Sequence, residues 1–177
     1  SCRKNFREAH LSLSGQTDYS YNKEYVAQNE RADYLRYHAL HASLSTQWSG
    51  LSWFQPKLTL AGNLSWKKPD AFSATDNLLK NAYYSLTMDF YPISKLRLYA
   101  DFSQSVFEIA HSHYSVNSFL NAGLRYDFHP RWTVSADLSN LLNRKDYEVS
   151  LYQGANFQYY RVPLRGREFL VSLRFKY

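Results

Sequence analysis

Apolar and polar residues alternate along most of this chain. In the carboxyl-terminal stretch Arg167–Tyr177, residues Phe169, Val171, Leu173, Phe175 and Tyr177 hold every second position, with Ser172, Arg174 and Lys176 between them. A strand points successive side chains to opposite faces, so this segment has one apolar-aromatic face and one polar face. The same period recurs in Arg3–Gln16 (Ala9, Leu11, Leu13), Tyr34–Trp48 (Leu40, Ala42, Leu44, Trp48) and Phe54–Trp66 (Leu58, Leu60, Gly62, Leu64, Trp66). It continues in Asn81–Tyr91 (Tyr84, Leu86, Met88, Phe90), Lys95–Val106 (Leu96, Leu98, Ala100, Phe102), Ser115–Phe128 (Leu120, Ala122, Leu124, Tyr126) and Arg131–Leu142 (Trp132, Val134, Ala136, Leu138). No segment keeps a helical period. The pattern predicts an all-β fold: an antiparallel up-and-down meander of about eight long strands in a single domain spanning 1–177.

The predicted strands run to roughly 10–14 residues, where strands of globular proteins usually run about 5–6. About 9–11 residues cross a bilayer's hydrocarbon in a tilted strand. The connections alternate in length as well. Short turns fall at Ser49–Ser52, Pro92–Ser94 and His129-Pro130, whereas Gln16–Asp33, Lys67–Leu79 and Asn143–Gly166 read as long loops and Glu108–His113 as a moderate one. All short turns then lie at one end of the meander and the long loops at the other, which is the layout of an outer-membrane barrel.

Composition sharpens this picture. Sixteen Tyr, eleven Phe and four Trp are far more aromatic residues than a soluble domain ordinarily carries. Trp48, Phe54, Trp66, Phe90, Phe128, Trp132 and Tyr177 sit near strand ends, where amphipathic rings belong at a membrane interface. The mean hydropathy of −0.53 excludes a membrane helix but not a barrel, which shows lipid only alternate residues. The net charge of +6 comes from scattered Lys and Arg, so nucleic acid is not an expected partner. The lone Cys2 excludes an internal disulfide. No leader is recognisable before Ser1, which suggests a processed form or a fragment of something longer.

The polar faces carry Asp89, Lys95, Arg97, Asp101, Arg125, Asp127, Asp137, Arg174 and Lys176, which suit a wet lumen. A three-residue turn at Pro92–Ser94 places Asp89 opposite Arg97 as a lumenal cross-strand ion pair. The aromatic residues Tyr147, Tyr152, Phe157, Tyr159 and Tyr160, with Arg161, sit in the longest loop as external ligand contacts, although such rings also pin loops to a barrel rim. His111 and His113 with Glu108 lack a further metal ligand, and Asp101, Asp137 and Glu168 lack a pocket for acid–base work. Neither an enzyme nor a cofactor is expected.

Two further runs, Leu138-Ser139-Asn140-Leu141-Leu142-Asn143-Arg144-Lys145-Asp146-Tyr147 and Pro163-Leu164-Arg165-Gly166-Arg167-Glu168-Phe169, precede the terminal strand. Together they resemble the carboxyl-terminal signature of TonB-dependent outer-membrane receptors. The resemblance covers the last 50 or so residues; upstream only the strand pattern agrees. It implies a bacterial outer-membrane barrel of 22 strands with an internal plug, importing an iron chelate, cobalamin or a glycan with energy from TonB. This chain, with eight strands and neither plug nor TonB-binding segment, would form no more than the last third or so of that wall and would meet TonB only through an amino-terminal part outside it. Phe169, Val171, Leu173, Phe175 and Tyr177 resemble the signal read by the barrel-assembly machinery, with Ser172 and Leu170 departing from its pattern. Membrane lipid is the remaining implied partner. Two alternatives stay open on the residues: a free-standing eight-stranded outer-membrane barrel acting as anchor or adhesin, and a soluble lipocalin-like binding barrel.

Overall fold

The computed structural model describes residues 1–28, 31–68, 77–110, 113–153 and 156–177. It is all-β, with eleven strands among those residues: β1 (Cys2–Phe6), β2 (Leu11–Gln28), β3 (Arg31–Trp48), β4 (Phe54–Lys67), β5 (Asn77–Ile93), β6 (Leu96–Ala110), β7 (His113–His129), β8 (Trp132–Ser139), β9 (Asp146–Gln153), β10 (Asn156–Pro163) and β11 (Glu168–Phe175). Nine form one antiparallel sheet in the order β1-β2-β3-β4-β5-β6-β7-β8-β11, and β9 with β10 form a separate hairpin. The two edge strands, β1 and β11, are not paired with each other.

Where the observed elements depart from the periodicity, local geometry explains it. Arg3–Gln16 is not one strand. A turn closed by the His10 amide on the Arg7 carbonyl (3.2 Å), with His10 at φ 51, divides it into β1 and the start of β2. The expected loop over Gln16–Asp33 is instead the upper half of the β2–β3 hairpin, paired from Leu11↔Trp48 to Gln28↔Arg31. Its two faces are both polar or aromatic, so it lacks the apolar alternation that marks a strand in sequence. The expected loop over Asn143–Gly166 contains the β9–β10 hairpin. Within Lys67–Leu79, β5 begins at Asn77, and residues 69–76, including Pro69 and Asp70, lie outside the described residues. Glu108 belongs to β6 and His113 to β7, while His111 lies outside the described residues.

The register fixes which side chains share a face. One row runs Phe54↔Phe90↔Leu98↔Leu124↔Ala136↔Val171 across β4 to β11, and its neighbour runs Gln55↔Asp89↔Tyr99↔Gly123↔Asp137↔Leu170. β4 begins at the first row, but β5 continues past it to Ile93 and β7 to His129. This progressive stagger is what tilted strands in a barrel wall require.

Among the described residues, no second layer covers the apolar face. Leu44, Leu60 and Leu138 are 42%, 43% and 39% exposed, and among the described residues the only buried apolar side chains, Leu35 and Leu79, lie on the polar face. A soluble sheet does the reverse and hides its apolar side against a second layer. The total accessible surface is 12308 Å². A compact protein of this mass exposes about 8,900 Å². On the apolar face of β2, β3 and β4, no charged residue occurs from the short turns up to the Tyr21, His38 and Trp66 positions. On β5 and β6 the first charges met are Lys80 and Glu108, where the Lys80 amide donates to the Glu108 carboxylate at 3.0 Å.

Rings border this face at both ends. On the short-turn side Trp48, Trp53, Phe54 and Phe90 form a chain of contacts, with Phe54 stacked on Phe90 at 4.7 Å, and Trp132 meets Phe175 at 4.7 Å. On the long-connection side the His38 ring stacks on Trp66 (5.1 Å, 3°) and meets Tyr21 at 5.0 Å, while its Nδ1 pairs with the Tyr19 hydroxyl at 2.7 Å.

Candidate functional site

The polar face changes character where β8 ends. Ser139 is followed by Asn140 at φ 52 and Asn143 at φ 57, conformations that Asn tolerates better than other side chains because its short amide bonds locally. Asn140 is buried. Its amide donates to Asn121 Oδ1 (2.9 Å), its Nδ2 donates to the carbonyls of Arg144 (2.7 Å) and Arg165 (2.9 Å), and its Oδ1 accepts from the Arg144 amide (2.8 Å). The Arg144 guanidinium donates to the Val116 carbonyl at 2.6 Å, and Arg167 Nε to that of Leu141 at 2.9 Å. A Cβ on Gly166 would stand 3.0 Å from Asn143 Oδ1. The two runs quoted above are therefore one interlocked turn. It sets Glu168 opposite Ser139, so that β11 pairs with β8, and projects β9–β10 from between them.

That hairpin folds back onto the polar face. Tyr147 lies between the rings of Phe107 and Phe119, 6.2 Å from each. Asn117, fully buried on β7, donates from Nδ2 to the Glu148 carbonyl (2.6 Å) and accepts from the Glu148 amide (3.1 Å), an edge-like pairing made by a side chain. The Ser115 hydroxyl donates to Glu148 Oε2 at 2.7 Å. Arg161 Nη2 lies 2.6 Å from Asp146 Oδ2, and its Nε 3.8 Å from Glu148 Oε1. The Ser115 hydrogen bond, with the nearby Arg161 and Arg144 charges, holds the Glu148 carboxyl below its ordinary range. The Arg161 hydrogen bond does the same for Asp146.

Several recesses open on this side, and two of them concern the hairpin and the β2–β4 strands. One of about 270 Å³ lies between Tyr147 and Asn63, Asn81, Tyr83 and Phe107 of the sheet. The other, about 500 Å³, is lined by Ser20, Asn22, Glu24, Tyr37, Ser65 and Lys67 at polar-face positions on β2, β3 and β4, and is bordered by Lys23, His38 and Trp66 of the same strands. The larger recess falls within the usual size of small-ligand clefts and offers hydroxyl, amide, carboxylate and ammonium groups.

The expected contact residues divide accordingly. Tyr147 is packed against the polar face of the sheet, and Arg161 is held by Asp146. Tyr159 and Tyr160 stay exposed on β10, with the Tyr160 hydroxyl donating to Gln158. Tyr152 and Phe157 are backbone partners across the hairpin, and their side chains lie outside the described residues. Asp89 and Arg97 share the polar face and form an ion pair at 2.7 Å, but they are not directly opposed. Asp89 pairs with Tyr99, because the turn falls at Ser94–Lys95 with a bulge between Phe90 and Ile93. The register is displaced by an even step, so the face is kept and Arg97 reaches Asp89 diagonally. Phe169, Val171, Leu173 and Phe175 line the outer edge of the apolar face, and Tyr177 lies beyond the last paired residue.

Sequence reasoning missed the brace across β7. Tyr99 on β6 lies over Gly123 and donates to Asp137 Oδ1 on β8 at 2.6 Å. The signal was a glycine inside a strand pattern, which marks a close approach by another group.

Compared with protein-family models, with curated proteins and with solved structures, the chain has no significant match.

Proposed function

We propose that this chain is the carboxyl-terminal wall of a TonB-dependent outer-membrane receptor, a nutrient importer with no catalytic role. The observation that carries the reading is the exposed apolar face bounded by two aromatic belts. On β4 everything outward-facing between Phe54 and Trp66 is apolar: Pro56, Leu58, Leu60, Gly62 and Leu64. At about 3.3 Å per residue and a tilt near 40°, that interval spans roughly 30 Å along the membrane normal. The hydrocarbon core is about as thick.

The polar face then faces water inside the barrel, and the inward-folded β9–β10 hairpin narrows the passage from the external side. The two recesses would hold an incoming iron chelate, cobalamin or glycan along that wall. The open β1 and β11 edges are where the remaining wall would pair, and the β11 face ending at Tyr177 would present the assembly signal. Energy would arrive through the amino-terminal portion that TonB engages. The interlocked turn from Asn140 to Glu168 supports the receptor assignment, because it gives the residues of the quoted signature a common structural purpose.

The test uses the four Trp. All of them, Trp48, Trp53, Trp66 and Trp132, lie at strand ends or in a turn. In phosphatidylcholine vesicles, bromines near the headgroups should quench their fluorescence more strongly than bromines deep in the acyl chains. A monodisperse, fully β-structured monomer in buffer without detergent, with no quenching by either lipid, would overturn the membrane reading.

A further inference from the structure

On the apolar face, the Tyr21↔His38↔Trp66 row is followed two residues further toward the long connections by another row crossing the same three strands. Lys23 is directly opposite Arg36 in the β2–β3 register, and the Lys68 amide donates to the Arg36 carbonyl at 3.3 Å. β2, β3 and the residue that follows β4 therefore bring Lys23, Arg36 and Lys68 into line, with neighbouring strands about 4.8 Å apart. All three side chains are exposed, and among the described residues no carboxylate pairs with any of them. The nearest acidic residues in these strands, Glu24 and Asp33, occupy positions of the opposite face. Lys23 Nζ sits 4.0 Å above the Tyr34 ring, which itself packs edge-on against Tyr25 at 5.3 Å.

Like charges directly opposed on a sheet are unfavourable unless an anion lies between them. The level of the row says which anion. These are the first charges met on the apolar side of β2 and β3 and just past the end of β4, above an uncharged band, and they stand about 7 Å along the chain from a row of aromatics. That is where lipid phosphates lie.

We infer that Lys23, Arg36 and Lys68 form a docking row for phosphate-bearing lipid headgroups on the outside of the barrel wall. The guanidinium of Arg36 would take a phosphate through two N–H donors, with the two ammonium groups on either side as point charges. The site rests on the membrane reading above, and Lys23 also borders the larger of the solute recesses.

The full chain is reconstituted in vesicles of phosphatidylcholine alone and of phosphatidylcholine with phosphatidylglycerol, and bound lipid is counted after extraction into zwitterionic detergent. Unaltered protein should retain phosphatidylglycerol, and the triple variant K23Q/R36Q/K68Q should bind it about a hundredfold more weakly. A control variant on the polar face, K57Q/K176Q, should bind as the parent does. Equal retention by the triple variant and the parent overturns the inference, and so does displacement of the lipid by millimolar inorganic phosphate, which would mark a free-anion site. Should the triple variant fail to insert, single variants measured in the same way decide the point, each expected to weaken retention severalfold. Insertion into phosphatidylcholine without preference for phosphatidylglycerol defeats this inference alone. Failure of the parent to insert into any vesicle defeats the membrane reading with it.

Discussion

Replacing Gly123 with Ala tests the brace across β7. A Cβ built at this position would stand 2.5 Å from Tyr99 Cε1 and 2.7 Å from both Cζ and the hydroxyl oxygen. None of these distances is tolerable, so the ring must leave its seat. Its hydroxyl is bonded to Asp137 at 2.6 Å, and moving the ring breaks that bond. A hydrogen bond to a charged acceptor is worth about 1.5–3 kcal/mol, and overpacking adds about 1–3 kcal/mol where the ring cannot fully escape. The opposing effect is the reduced freedom of the unfolded chain, which would make an unstrained Gly→Ala change stabilising by about 0.4–1 kcal/mol. The sign is therefore decided by the contact, and G123A should lose about 2–4 kcal/mol. Tyr99→Phe should lose the hydrogen bond alone, about 1.5–3 kcal/mol. In the Y99F background G123A should cost less than in the parent, because the bond it disrupts is already gone, giving a coupling of about 1–3 kcal/mol. Urea unfolding in detergent micelles, followed by Trp fluorescence, measures all four proteins. A G123A variant as stable as the parent, or strictly additive effects, would refute the seating of Tyr99 on Gly123.

Two further outcomes follow from the interlocked turn and the hairpin it projects. Asn140→Ala removes three side-chain hydrogen bonds at about 1 kcal/mol each and puts Ala at positive φ for about 1–2 kcal/mol more, so the same unfolding measurement should show N140A less stable than N140G by that second amount. Equal losses would mean the left-handed backbone contributes nothing. Glu148 is held below its ordinary range chiefly by Ser115, so its contribution is present above the unfolded value and disappears as the pH falls through the folded one. Amide exchange over the described residues of 146–163 should therefore lose protection, after correction for intrinsic exchange rates, as the pH falls below the ordinary glutamate value of about 4.3. Glu148→Gln should flatten that dependence, and protection unchanged down to pH 3 would remove the carboxylate from the account.

Much of the fold was legible because a strand's face depends only on counting by two. Leu58, Leu60 and Leu64 fall on one side whatever they pair with, and an even displacement of the β5–β6 register left Asp89 and Arg97 together. Where that count lost its apolar mark, the reading failed. Tyr19, Tyr21, Lys23 and Tyr25 alternate with Asp18, Ser20, Asn22 and Glu24, two polar sets that look like a loop until β3 pairs with them. The β9–β10 hairpin was hidden for the same reason, and the seat of Tyr147 between Phe107 and Phe119 depends on residues far away in sequence.

The sequence alone determined the class of the fold, the content of each face and the aromatic strand ends, all of which follow from local periodicity. Tertiary structure decided how rows of different strands line up, that the apolar face has no second layer over it, that the hairpin folds onto the polar side, and that Lys23, Arg36 and Lys68 stand side by side. Each of these depends on which strand lies next to which and at what stagger. Hydrogen bonds between distant segments set that relationship, and a period-two pattern carries no information about it.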